Sequence, residues 1–132
     1  LKQLNLPVKV FVFNNEELSF IAMEMKASGY LDYATDFVNP DFGKLAEAAG
    51  IKGVSIQNSS EVDEKIMEAL NHNGPVIVNV RVDKQELAMP PKIAYQQAKG
   101  FSKYLINAIL DGRGTELKEM AKTNWMKYKS LY

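Results

Sequence analysis

The sequence contains no cysteine. That excludes disulfides, thiolate metal centres and thiol nucleophiles, and it fits a reducing compartment, so a cytoplasmic location is expected. His72 is the sole histidine. It lies in the polar run Asn71-His72-Asn73-Gly74 with no aspartate or second histidine beside it, and reads as exposed rather than as a metal ligand. Net charge is lacking too, because 16 basic and 16 acidic residues cancel. The positive excess that displaces counterions from a nucleic-acid backbone is therefore missing, which argues against nucleic acid as a partner. No apolar run reaches the roughly 18 residues of a membrane-spanning helix, and the opening residues lack the layout of a secretory signal. The chain opens on Leu1 rather than Met, which raises the expectation of a segment upstream.

What is present is an ordinary globular composition. A chain of 132 residues can bury roughly 70% of its unfolded surface in a single core. Val8-Lys9-Val10-Phe11-Val12-Phe13 is a β-branched and aromatic run stopped by Asn14-Asn15, the pattern of a strand ending in a turn. From Glu16 to Lys26, Leu18, Ile21, Ala22 and Met25 recur with helical spacing, and Phe20 and Glu24, four apart, share another face. Residues 27–39, with Gly29, Tyr30 and Tyr33, lack periodicity and read as a surface excursion. Asn39 before Pro40 predicts a helix start, with Gly50 as its stop.

Val54-Ser55-Ile56 predicts a second strand. Ser60 with Asp63 resembles a capping box for a helix turning Val62, Ile66, Ala69 and Leu70 inward. Val76 to Val82 predicts a third strand, with valines on one face and Ile77, Asn79 and Arg81 on the other, the latter two set against a crowded neighbour rather than a ligand. Asp83 to Pro91 reads as a connection, in which Pro90-Pro91 forbids regular helix. A long helix is expected from about Ile93 to Leu110, a break at Gly112-Arg113-Gly114, and a last helix with Leu117, Met120, Ala121, Trp125 and Tyr128 on one stripe. Alternating strands and helices imply an α/β fold, a parallel sheet covered on both faces as a three-layer sandwich. Three strands make a small sheet with open edges, so further strands are expected before Leu1.

In open α/β sheets ligands bind beyond the carboxyl ends of the strands, which here carry Asn14-Asn15 and the backbone of Glu16 and Glu17. Amide and main-chain carbonyl oxygens are hard ligands suited to Mg²⁺. The run from Phe13 through Asn14, Asn15, Glu17 and Phe20 to Glu24 and Lys26 resembles the thiamine diphosphate motif of bacterial pyruvate oxidases. Glu86-Leu87-Ala88-Met89-Pro90-Pro91, Gln97-Ala98-Lys99-Gly100-Phe101, Gly112-Arg113-Gly114 and Ala121-Lys122-Thr123-Asn124-Trp125 resemble the quinone-reducing branch, pyruvate:quinone oxidoreductase. The Asn-Asn element is also shared with acetolactate synthases and pyruvate decarboxylases.

The resemblance implies that residues 1–132 are the C-terminal part of a diphosphate-binding domain, with a helical tail from about residue 92. It implies Asn14, Asn15 and Glu17 as cofactor-binding, and Asn15 with the Glu17 carbonyl as Mg²⁺ ligands beside the Asp of a Gly-Asp-Gly not found in these residues. Phe20 is implied as a wall between thiazolium and flavin, and Glu24 as a polar group near the substrate. The parent enzyme implied uses thiamine diphosphate, Mg²⁺ and FAD, the flavin being held by a domain outside this chain. It converts pyruvate to acetate and carbon dioxide, passes electrons to quinone, and assembles as a homo-oligomer, a tetramer. Relatives meet the membrane through an amphipathic segment after the Trp125 region, giving peripheral contact at the inner face of the cell membrane. Two rivals remain open, an acetolactate synthase-like carboligase and a non-catalytic α/β oligomerisation module.

Overall fold

A computed structural model describes residues 1–84 and 95–129, with side chains as far as residue 125. The elements run β1 (Lys9–Asn14), α1 (Ser19–Ala27), α2 (Phe42–Ala48), β2 (Lys52–Ile56), a 3₁₀ turn (Ser59–Glu61), α3 (Val62–Asn71), β3 (Val76–Arg81), α4 (Tyr95–Leu110) and α5 (Gly114–Lys129). They form two compact units, Leu1–Glu16 with Val38–Val82, and Glu17–Phe37 with Asp83–Tyr132. The Pro90-Pro91 interruption, the expected helix start near Ile93 and the side chain of Tyr128 lie outside the described residues and side chains.

The first unit holds the sheet. Its order is β1-β3-β2, all parallel, and Phe11 and Val54 both pair with Val78. Because side chains alternate along a strand, Val76, Val78 and Val80 share one face with Phe11, Val54 and Ile56. Val62, Ile66 and Ala69 of α3 cover that face. Burying each valine or isoleucine there contributes about 1.5–3 kcal/mol. Helix α2 covers the opposite face by backbone approach, for a Cβ on Gly53 of β2 would stand 2.0 Å from the Gly43 carbonyl oxygen. Helix, sheet and helix make three layers, as the alternation predicts.

Several boundaries move for identifiable reasons. The cap of α2 is Asp41, not Asn39: its carboxylate accepts the Gly43 N–H at 2.9 Å and the Lys44 N–H at 3.2 Å, and also the Ser55 hydroxyl. A hydroxyl on another strand favours Asp41, and no local pattern reveals it. The capping box forms two residues early, with Asn58 and Glu61 in place of Ser60 and Asp63. Leu70 is exposed rather than inward, since Ile66 and Ala69 already meet the sheet.

The second unit is helical. Tyr104, Ala108 and Met120 are buried, with Leu31, Phe101, Leu105 and Leu117 packed around them. Helix α4 passes so close to the end of α1 that a Cβ on Gly100 would fall 1.9 Å from the Ala27 carbonyl oxygen. Gly112 adopts φ 78° between α4 and α5, the left-handed turn that halts a helix. Helix α1 starts at Ser19 rather than near Glu16, which itself has φ 55°. Its buried side carries Ala22 and Lys26, while Leu18 and Ile21 are exposed. On α5, Met120 is buried but Ala121 and Trp125 face outward, so the expected stripe is only partly used. Helical spacing defines faces; neighbours decide which face is covered. Among the described residues no helix is long and apolar enough to cross a membrane.

Candidate functional site

The carboxyl ends of β1 and β3 lie side by side because the strands pair in parallel register, Asn14 opposite Arg81. Beyond them opens a polar pocket of about 120 Å³. Asn14, Asn39 and Asn79 form its amide wall, with Asp41, Glu16 and Arg81 also lining it.

The three amides are joined through Asn14. Its Nδ2 donates to Asn79 Oδ1 at 3.2 Å, and its Oδ1 accepts from Asn39 Nδ2 at 2.8 Å and from the Glu16 N–H at 3.3 Å. The last bond is a side chain gripping its own backbone two residues on, which stabilises the left-handed Glu16 and ends the strand abruptly. Asn14 is thus buried and shapes the turn. Arg81 reaches the Glu16 carboxylate at 3.0 Å, a partly exposed pair worth little in stability but one that sets a cation at the pocket rim. Asp41 is held below the usual carboxylate range, first by the Ser55 hydroxyl and then by the backbone donors of α2, so it stays anionic.

Asn15 follows Asn14 and is half-buried. Glu17, Phe20 and Glu24 belong to the helical unit. Glu17 forms an antiparallel bridge with Asp36, and the next residue, Leu18, donates its N–H to the Thr35 carbonyl at 2.8 Å. Partial burial raises the Glu17 carboxyl above its ordinary range, and the carboxylates of Asp32 and Asp36 push the same way against Lys26 and Lys84. Phe20 and Glu24 both stand exposed on α1. His72 is exposed, as its loop predicts.

Four wall residues escape a sequence reading. Asn39 reads as a helix cap, Asn79 and Arg81 as groups facing a crowded neighbour, and Asp41 as a residue inside a helix; all four line the pocket. The one available signal is Asn79 itself, an amide amid valines, since a strand buries a polar group only when something satisfies it.

The donor set can be weighed against the implied groups. No cluster of three His, Cys, Asp or Glu residues able to hold a metal occurs among the described residues. A divalent cation here could draw on amide and main-chain carbonyl oxygens, but Mg²⁺ is usually held through one or two carboxylates together with phosphate oxygens, and the pocket's Asp41 and Glu16 carboxylates already pair with Ser55 and Arg81. Amide N–H groups and the Arg81 guanidinium are donors that phosphate oxygens take. The diphosphate fits these donors, and the cation fits in part.

Comparison with known proteins bears on the same stretch. Residues 1–80 match the model of the thiamine pyrophosphate enzyme, C-terminal TPP binding domain. The chain is 36% identical over 118 residues, 89% of its length, to YdaP of Bacillus subtilis, named as a thiamine pyrophosphate-containing protein. It is 38% identical over 89 residues, 67% of its length, to the mitochondrial acetolactate synthase catalytic subunit of Saccharomyces cerevisiae. It is 30% identical over 91 residues to the large subunit of acetolactate synthase isozyme 2 of Escherichia coli. The chain spans 20%, 13% and 17% of these relatives, a fifth of their length or less.

Proposed function

This chain belongs to the thiamine pyrophosphate enzymes, matching their C-terminal TPP binding domain, and from that membership we propose that it anchors the cofactor's metal and diphosphate in an enzyme that decarboxylates pyruvate. The observation that carries the reading is the Asn14-centred amide cluster closing the carboxyl ends of two parallel strands beside Asn15.

When bound, thiamine diphosphate supplies a carbon nucleophile and an electron sink, so that carbon dioxide can leave a 2-oxo acid. The residues hold and orient. Asn14 fixes the turn through its three hydrogen bonds. The resemblance to the thiamine diphosphate motif assigns Mg²⁺ ligation to the Asn15 side-chain oxygen and the Glu17 carbonyl. Arg81 sets positive charge at the rim, where diphosphate brings negative charge. Phe20 and Glu24 serve the substrate side, Phe20 as an apolar wall excluding water and Glu24 as its polar contact.

Two fates of the decarboxylated substrate have separate support. Oxidation to acetate, with FAD and then quinone as acceptors, is favoured by Gln97-Ala98-Lys99-Gly100-Phe101, Gly112-Arg113-Gly114 and Ala121-Lys122-Thr123-Asn124-Trp125. These runs resemble the pyruvate oxidase branch. Carboligation is favoured by relatives named acetolactate synthase, at up to 38% identity.

Incubating the full natural protein with pyruvate, thiamine diphosphate, Mg²⁺, FAD and a quinone separates the two. Acetate with quinone reduction is the expected outcome; acetolactate would replace the oxidative reading with the carboligating one. In the same protein Asn15→Ala should weaken Mg²⁺-dependent cofactor binding about tenfold or more by calorimetry. Unchanged affinity would remove Asn15 from the site.

A further inference from the structure

The charges of the helical unit close into a ring. Lys26 Nζ lies 3.3 Å from Glu116 and 3.9 Å from Asp32; Arg113 Nη1 lies 3.0 Å from Asp32 and 3.8 Å from Glu116. Cation and anion alternate round the ring, and Arg113 Nε also pairs with Asp111 outside it at 2.9 Å. The ring draws on α1, the segment after it, the turn into α5, and α5 itself.

Lys26 is its innermost member, at 4% exposure. An ammonium at that depth needs partners on every side. The Tyr104 ring centroid, 5.6 Å from Nζ, is one of them, and the Tyr104 hydroxyl donates to the Glu116 oxygen that Lys26 also meets, at 3.3 Å. Burial first, then the nearby Glu116 and Asp32 carboxylates, push the phenol far above its ordinary value, so it remains a donor.

Lys26 occupies a particular angle on α1. At 3.6 residues per turn it stands about 160° round the helix from Glu24 and about 120° from Phe20. The buried ammonium is therefore at the back of a helix whose front exposes Phe20 and Glu24. Close packing of α4 on Ala27 already restrains the end of α1, and paired charges add a directional restraint on its buried side.

We propose that Lys26 is a positioning residue: through its ring with Asp32, Arg113 and Glu116 it fixes the rotation of α1, and with it the pose of Phe20 and Glu24. The substrate-side role of those two residues rests on the reading given under Proposed function. The pinning of the helix does not.

The test uses the full natural protein with Lys26→Met, Lys26→Arg and Glu116→Gln, and Lys52→Met as a control in the exposed Lys52–Glu68 pair. Two quantities are read: hydrogen exchange of the α1 amides without cofactor, and kcat and KM for pyruvate below the unfolding temperature. Lys26→Met should speed α1 exchange and lower kcat about tenfold or more, the scale of a small misplacement of reacting groups, with KM nearly unchanged. Lys26→Arg should recover most of both, and Lys52→Met should alter neither. If Lys26→Met fails to fold, Glu116→Gln, which keeps an acceptor for Tyr104, is read in its place. Faster exchange with full kcat would make the ring merely structural, and unchanged exchange in α1 would remove the pin altogether; either overturns the proposal. If the wild-type protein turns over no 2-oxo acid, the functional reading fails separately, and exchange still decides whether Lys26 pins α1.

Discussion

Asn14 and Asn79 tie together the ends of two adjacent parallel strands through one amide-to-amide hydrogen bond of 3.2 Å, across 65 residues of sequence. Both are nearly buried, at 8% and 3% exposure. Asn79→Val removes the acceptor and strands the Asn14 amide, so it should destabilise the fold by about 1–3 kcal/mol. Urea unfolding measures this; a midpoint equal to wild type would mean that the bond contributes nothing.

The contact of α2 with β2 leaves no room for a methyl group. Gly53→Ala would place its Cβ 2.0 Å from the Gly43 carbonyl oxygen, and backbone cannot swing aside as a side chain does. A loss of about 1–3 kcal/mol or more is expected, the usual scale for overpacking. Thermal unfolding should register it as a lower Tm, whereas Gly114→Ala, with open space at its Cβ, should not show such a loss.

Asp41 gives the fold an acid-sensitive element. Its carboxyl lies below the ordinary 3.8 when folded, chiefly through the Ser55 hydroxyl. A group with a depressed folded value contributes stability above its unfolded value and loses it as pH falls through the folded one. Stability from this carboxylate should thus be complete at neutral pH and decline below about 3.8. Ser55→Ala should shallow that acid limb in pH-dependent urea unfolding; an identical limb would assign it to other carboxylates.

Tyr104 acts at the opposite end of the scale. Its folded value is raised above the ordinary 10.0, mainly by burial. Stability is then fully present below 10.0 and falls as pH rises from there towards the folded value, because only the unfolded chain gains from ionisation in that window. Phenolate absorbance should show one tyrosine titrating late, and Tyr104→Phe should abolish that late step. Six tyrosines titrating together in the native protein would contradict it.

How far local sequence reaches differs by kind of feature. The three strands, the helix from Val62 and the Gly112 break follow from local rules, since β-branched runs, apolar spacing and glycine at positive φ act over a few residues. The start of α2 does not, because Asn39 and Asp41 are equally good caps and Ser55 on β2 selects between them. The candidate site divides likewise. Asn14 and Asn15 stand out as a strand-ending pair, while Asn39, Asp41 and Asn79 join the pocket through partners 14 to 65 residues away.

The sequence by itself determined the alternation of strands and helices, the parallel sheet covered on both faces, and the amide pair at the end of β1, because each depends on chemistry repeated over short spans. Only the tertiary structure decided which face of α1 is buried. Ile21 is the more apolar candidate, yet Lys26 goes inside, because Asp32 and Glu116 wait there with Arg113 to neutralise them. Burial energy for an apolar side chain is nearly independent of its partner, whereas that of a charge depends wholly on what surrounds it, and those surroundings come from residues up to 90 positions away.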